Sequence, residues 1–315
     1  METDILGSAY RRRTIDLGTD DEGPVVATLI SRPPERPTGR AVLYVHGYVD
    51  YFFQAHLADH YVERGFHFYA LDLRKYGRSL LAHQTPNFVR NISEYFPELD
   101  EATRIIREED GHRRLLVNAH STGGLITALW AHQVRDRGLV DGLFLNSPFF
   151  EFNVPRLTRS TLGPVFTFVS RFRPYATVSR SVSQAYGHSI HADHNGEWQY
   201  ELAWKPLGGF PVRAGWLAAI RAGQARLHAG LDIPVPVLVA CSTRSYRKPA
   251  WSEDAMSADA VLDVEHIAGY SSQLGRHVTI VRVDGGMHDL MLSAKPVRER
   301  VLAELDRWLL AYLPE

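Results

Sequence analysis

The sequence predicts a doubly wound α/β fold on a mainly parallel sheet, with a helical cap inserted midway along the chain. Three observations carry that expectation. Short apolar strands alternate with helix-length segments, the order expected of βαβ units. Several strands are apolar on both faces, as strands covered by helices on either side must be. The alternation then breaks from Pro148 to about Gly230, far longer than the ~12 residues a crossover needs.

Taken in order, residues 25–30 and 41–45 are the first clear strands, with Pro33, Pro34 and Pro37 marking a surface turn between them. A helix over 55–64 leads to a strand at 66–71, and a helix over 98–110 leads to a strand at 115–119. The helix over 122–137 starts at a glycine-rich turn and stops before Gly138. Strands follow at 142–146, 237–241 and 278–283. The last helix, 292–310, places Val297, Val301, Leu302, Leu305 and Leu309 on one face with charges between them. The interrupting stretch lacks a clear strand and carries Phe149, Phe150, Phe152, Phe166, Phe168, Trp198, Trp204 and Trp216. It is read as a cap over 148–228, with 1–147 and 229–315 forming the core. A string of crossover helices is the plainer alternative.

Composition narrows the function classes. The 315 residues are 45% hydrophobic and 23% charged, enough apolar material for a sizeable core. Lys and Arg number 35 against 36 Asp and Glu, so no global field favours nucleic acid or an anionic membrane. The run Arg11, Arg12, Arg13 is read as a solvated strand end. The single cysteine, Cys241, excludes an intramolecular disulfide and a Cys-rich zinc site, and it is expected to be a buried, inert thiol. Residues 1–10 do not resemble a signal peptide, and no apolar stretch reaches the ~18 residues of a membrane span. A cytoplasmic location is expected. His188, His191 and His194, and separately His56 and His60, have spacings that suit a metal. No H-E-x-x-H, G-x-G-x-x-G or P-loop pattern supports a metal or nucleotide cofactor, so none is expected.

The chemistry is concentrated in LLVNAHSTGG, residues 115–124. A strand runs straight into Ala119, His120, Ser121, Thr122, Gly123, and a helix follows. This is a G-x-S-x-G nucleophile elbow with Ala in the first position. The serine must sit on a tight, strained turn, so the residues two before and two after it must be small. The helix start also supplies amide donors and the positive end of a dipole. Serine needs a base, oriented in turn by a third group, and in this architecture the chain order is Ser, acid, His. His288 follows the last strand through Asp284, Gly285, Gly286 and Met287, and it is the expected base. The acid should follow the 237–241 strand. Asp259 is favoured, with Glu253, Asp254 and Asp263 as alternatives; Asp263 could instead cap a helix. Asp284 and Asp289 lie too close to His288 to orient it. The Thr122 amide is the expected first oxyanion donor. The second is the Tyr48 amide, in the His46-Gly47-Tyr48 turn after an early strand, where His46 would support the loop.

These segments together resemble the α/β-hydrolase superfamily, and most of all its lysophospholipase and monoacylglycerol-lipase branch, the serine aminopeptidase-like hydrolases. The matching residues are His46-Gly47-Tyr48, the 70–79 segment ALDLRKYGRS, 118–124, Asn146-Ser147-Pro148, 259–263 and 285–289. In that branch the acid is followed four residues later by another Asp, as Asp259 is by Asp263. Three departures stand out: Ala119 for Gly, Lys75 where the 70–79 loop usually has Gly, and a long gap between Cys241 and Asp259. The resemblance implies a cofactor-free serine hydrolase acting on a carboxylic ester. The aromatic cap favours a small-molecule ester with an apolar acyl chain or ring, the plainer alternative being that these aromatics are cap core. Amide or thioester hydrolysis, acyl transfer, or a non-catalytic binder on the same fold are the alternatives.

Overall fold

In the computed structural model, residues 2–153, 168–180, 184–248 and 250–314 are described. Nine strands form one sheet: β1 (Glu2–Asp4), β2 (Gly7–Asp20), β3 (Gly23–Arg32), β4 (Arg40–Val45), β5 (Phe66–Asp72), β6 (Arg114–His120), β7 (Gly142–Asn146), β10 (Val237–Ser242) and β11 (Val278–Val283). A two-stranded pair, β8 (Thr177–Ser179) and β9 (Val212–Arg213), lies apart from it. The large sheet runs β1-β2-β3-β5-β4-β6-β7-β10-β11. From β5 to β11 the pairing is parallel; β1, β2 and β3 add antiparallel strands at one side.

That order places the site. The chain leaves β4, crosses to β5 on one side, and returns to β6 on the other. Loops after β4 and β6 therefore diverge, opening a crevice at the carboxyl ends of the strands. β4 and β7 are buried along their full lengths, as strands covered on both faces must be. One apolar layer holds Leu43, Val117, Leu129, Trp130 and Leu145; the other holds Val42, Leu116, Phe144, Leu305 and Trp308. The Trp130 ring is fully buried, which contributes about 3 kcal/mol relative to exposure, and its Nε1 donates to Asp100 at 3.0 Å.

Two expectations are corrected at the N-terminal side. β1 and β2 precede the strand expected as the first. Arg11, Arg12 and Arg13 lie inside the fourteen-residue β2 rather than at a strand end. Only Tyr10 and Ile15 of β2 are buried, so its apolar alternation is too sparse to read. The arginines instead pair with neighbours: Arg12 with Glu2 at 2.8 Å and Arg13 with Glu109 at 2.5 Å.

The 148–228 stretch does two different things. Helix Gln184–Ile190, together with 191–209, sits over the strand ends. Helix Ala214–His228 instead buries Trp216, Ala219, Ile220 and Leu227 in the same apolar layer as helix Thr122–Gln133. Gly223 allows that approach: a Cβ there would lie 2.8 Å from Ile92 and 3.1 Å from Leu129. This last helix is thus a crossover leading to β10. Phe168 is exposed, and Phe166 lies outside the described residues. Among the described residues, no helix is long and apolar enough to cross a membrane.

Candidate active site

Ser121 stands at the junction of β6 and helix Thr122–Gln133 with φ 53° and ψ −118°, a conformation rare for a residue with a side chain. The turn is held from both sides. The Ser121 amide donates to the Asn146 carbonyl at 3.0 Å, and the Ser121 carbonyl accepts from Phe149 at 2.9 Å. A Cβ on Gly123 would lie 2.4 Å from the His46 carbonyl oxygen and 2.6 Å from that of Val45. A Cβ on Gly47 would lie 2.8 Å from the Ser121 Cβ. Small residues are demanded here by backbone crowding.

His288 reaches the same point from β11. Gly285 turns the chain at φ 76°, and a Cβ on Gly286 would strike Leu290 at 2.5 Å. The His288 ring lies between two partners, its Nε2 2.9 Å from Ser121 Oγ and its Nδ1 2.9 Å from Asp259 Oδ2. A carboxylate only accepts, so Nδ1 carries the hydrogen and Nε2 is left to accept from the serine hydroxyl. All three side chains are buried.

Asp259 arrives there despite the long gap after β10. Its amide donates to the Arg244 carbonyl at 2.9 Å, and its carbonyl accepts from the Tyr246 amide at 2.7 Å. The chain between them is an excursion that returns to the strand end. It packs against the cap helix, where Trp251 Nε1 donates to Ser189 Oγ at 3.0 Å. The second carboxylate oxygen of Asp259 accepts from the Val261 and Leu262 amides at 2.8 and 2.7 Å, which fixes its orientation.

The other acids are engaged elsewhere. Glu253 and Asp254 are exposed, Asp254 pairing with Lys248. Asp263 caps helix Val264–Ser271 through the Glu265 amide at 3.1 Å and pairs with Arg247. Asp284 is exposed. Asp289 turns away from the His288 ring and accepts from Asn146 Nδ2 at 2.7 Å and Gln54 Nε2 at 3.1 Å.

Thr122 is the first residue of its helix, so its amide has no intrahelical acceptor. Tyr48 follows Gly47 on the loop packed against Ser121, and its ring lies tilted against Trp216 with centroids 4.0 Å apart. His46 supports that loop: its Nδ1 donates to the Gly47 carbonyl at 2.8 Å and its Nε2 accepts from the Leu73 amide at 3.0 Å. Burial lowers the His46 pKa, which favours this neutral form. The 70–79 loop braces the same region. Asp72 accepts from the Phe52 amide at 2.9 Å, and Arg78 bridges Asp72 and Asp4.

Ser121, His288, Tyr48 and Thr122 line a cavity of about 290 Å³, with Phe149, Phe152, Ile190, Leu207, Val212 and Trp216 forming an apolar wall. One polar corner was not foreseen. Lys205 Nζ donates to Asp50 Oδ1 at 2.7 Å, and His120 Nδ1 lies 3.3 Å from Asp50 Oδ2. Burial works to raise the Asp50 pKa, but the Lys205 charge and the His120 bond outweigh it and hold it well below the usual range. The same contest raises His120, where Asp289 and Asp50 outweigh burial. An acid within the aromatic run Tyr48 to Phe53 was the available signal.

The other histidines make ordinary contacts. His188 stacks on His194 at 4.3 Å, His56 donates to the Met291 carbonyl, and His60 meets Asp306. Among the described residues, no group of three or more metal-ligating side chains converges. Cys241 is buried, and burial pushes its thiol up to about 12.

The sequence pattern of the family described as Serine aminopeptidase, S33 matches residues 36–293. No curated protein matches the chain. Among solved structures, a soluble variant of monoglyceride lipase from Saccharomyces cerevisiae is 14% identical, covering 97% of this chain and 96% of its own, with a TM-score of 0.69. A carboxyl esterase from Bacillus coagulans is also 14% identical, over 97% and 99%, at 0.69. A monoacylglycerol lipase from Paleococcus ferrophilus is 17% identical, over 90% and 99%, at 0.65.

Proposed function

The chain belongs to the serine aminopeptidase S33 family and is a serine hydrolase of the α/β-hydrolase fold, and from that premise we propose that it cleaves a carboxylic ester at Ser121. The observation that carries the proposal is the His288 ring held 2.9 Å from both Ser121 Oγ and Asp259 Oδ2. Ser121 Oγ attacks the ester carbonyl while His288 Nε2 takes its proton. Asp259 keeps the ring in the required tautomer and stabilises the imidazolium. The Tyr48 and Thr122 amides receive the developing oxyanion, each donor contributing about 3 kcal/mol. The tetrahedral species collapses, the alcohol leaves with the proton from His288, and an acyl-Ser121 ester remains. Water, deprotonated by the same ring, then releases the acid and restores the serine.

Two features favour an ester over the peptide bond of an aminopeptidase. The apolar wall suits an acyl chain. An aminopeptidase must also hold a substrate ammonium, which needs a free carboxylate in the cavity. Among the described lining residues, Asp50 is the one carboxylate, and its oxygens are engaged by Lys205 and His120. The monoglyceride lipase and carboxyl esterase neighbours agree with this reading.

The test compares p-nitrophenyl esters of rising acyl length with aminoacyl p-nitroanilides, for wild type and Ser121→Ala. The esters should be turned over with higher kcat/KM, and Ser121→Ala should lose up to ~10⁶ in kcat. Faster cleavage of the anilides, or a variant keeping a tenth of wild-type turnover, would contradict the proposal.

A further inference from the structure

The polar corner of the cavity joins three parts of the chain that are distant in sequence. Lys205 comes from the segment over the strand ends, Asp50 from the loop after β4, and His120 from the last position of β6. All three are buried, at 6%, 1% and 2% exposure. Their positions relative to the proposed oxyanion donors are symmetric. Asp50 lies two residues after Tyr48, and His120 lies two residues before Thr122. A bond between residues 50 and 120 therefore ties together the two segments that carry the amides at 48 and 122.

The loop that carries Tyr48 needs such a hold. Val49, next to it, has φ 51°, a left-handed conformation that a β-branched residue rarely adopts unless its surroundings enforce it. Lys205 Nζ reaches the Val49 carbonyl at 3.4 Å as well as Asp50. Lys205 is itself firmly placed. Its amide donates to the Glu201 carbonyl at 3.0 Å, the Glu201 amide donates to Tyr51 Oη at 2.7 Å, and Trp204 meets the Tyr51 ring edge-on at 5.1 Å. An ammonium and a carboxylate this deeply buried stay where they can satisfy each other, because either one alone would be strongly disfavoured.

We infer that Lys205 is a positioning residue: through Asp50 and His120 it sets the spacing of the Tyr48 and Thr122 amides, so that docking of the cap segment completes the oxyanion site. The inference rests on the proposed function, and it differs from a direct role in binding substrate, for which Lys205 would act on KM.

The full-length chain carrying Lys205→Met, Asp50→Asn, or both is assayed for kcat and KM on a p-nitrophenyl ester and for the rate of fluorophosphonate labelling. Loss of oxyanion alignment should lower kcat about 10²-fold, with KM within about threefold of wild type. Labelling should slow in parallel. The double variant should be no slower than the slower single variant, since both changes break one strut. If Lys205→Met fails to fold, the near-isosteric Asp50→Asn carries the same test through kcat. A change confined to KM, an unchanged kcat in Asp50→Asn, or single effects that multiply would overturn the inference. A wild-type protein that the fluorophosphonate does not label at all would instead overturn the reading of Ser121.

Discussion

Ser121 and Asp259 reach the same imidazole by different routes. Ser121 is placed locally: the end of β6, two small neighbours and a helix start leave its turn almost no alternative, with Gly123 pressed on the Val45 and His46 carbonyls. Asp259 is placed at a distance. Its chain leaves β10, travels out to cover helix Gln184–Ile190, and returns to pair with residues 244 and 246. What fixes the serine is steric exclusion within a few residues. What fixes the acid is a backbone closure around a long loop, which tolerates added length because loop closure costs grow slowly with length.

If the excursion truly delivers the orienting carboxylate, Asp259→Asn should have the largest effect among the tests of this contrast. The amide oxygen can keep the Val261 and Leu262 bonds, so the fold should hold while kcat falls by up to ~10⁴ through the wrong His288 tautomer. Steady-state kinetics beside a thermal melt measures both. A kcat within tenfold of wild type would move the acid elsewhere.

The elbow side is probed by Gly123→Ala. One methyl at 2.4 Å from a carbonyl oxygen must displace backbone, so turnover should fall about 10²-fold or more and the melting temperature should drop with it. An alanine accommodated without loss in either assay would show that the turn is not held by crowding.

Trp251→Phe sharpens the other side. It removes the bond to Ser189 but leaves the backbone closure at Asp259, so stability should fall by about 1 kcal/mol with kcat nearly unchanged. A loss in kcat as large as that of Asp259→Asn would mean that the excursion's contact with the cap, and not its closure, holds the acid.

The smallest effect lies at the opposite end of the strands. Burial and the His112 charge lower the His67 pKa from 6.5 to about 4, so the folded state disfavours the protonated ring. The stability linked to His67 is then fully present above about pH 6.5 and is lost as pH falls towards 4. Melting temperatures of wild type should decline over that window, and His67→Gln should decline less steeply. Parallel curves would remove His67 as a cause.

The same division explains what the sequence made legible. The strands from β4 to β7 and the serine turn announce themselves because their constraints are local: apolar on both faces, or small where the backbone crowds. β2 stayed hidden because its charged residues are held by Glu2 and Glu109 rather than by an apolar stripe. Lys75, at the usual glycine position of the 70–79 loop, adopts φ 64° and buries its ammonium against Asp20 and Glu22, a solution that depends on the β2–β3 hairpin. Helix Ala214–His228 reads as part of the cap because nothing in its pattern tells which apolar layer it joins. Lys205 and Asp50 are 155 residues apart, so no spacing rule connects them.

Peptide mapping by mass spectrometry after fluorophosphonate treatment tests the central claim most directly. A single adduct on Ser121, absent from Ser121→Ala and formed far more slowly in a His288→Ala variant, is the result expected. Labelling at another residue, or equal labelling of the Ser121→Ala protein, would contradict it.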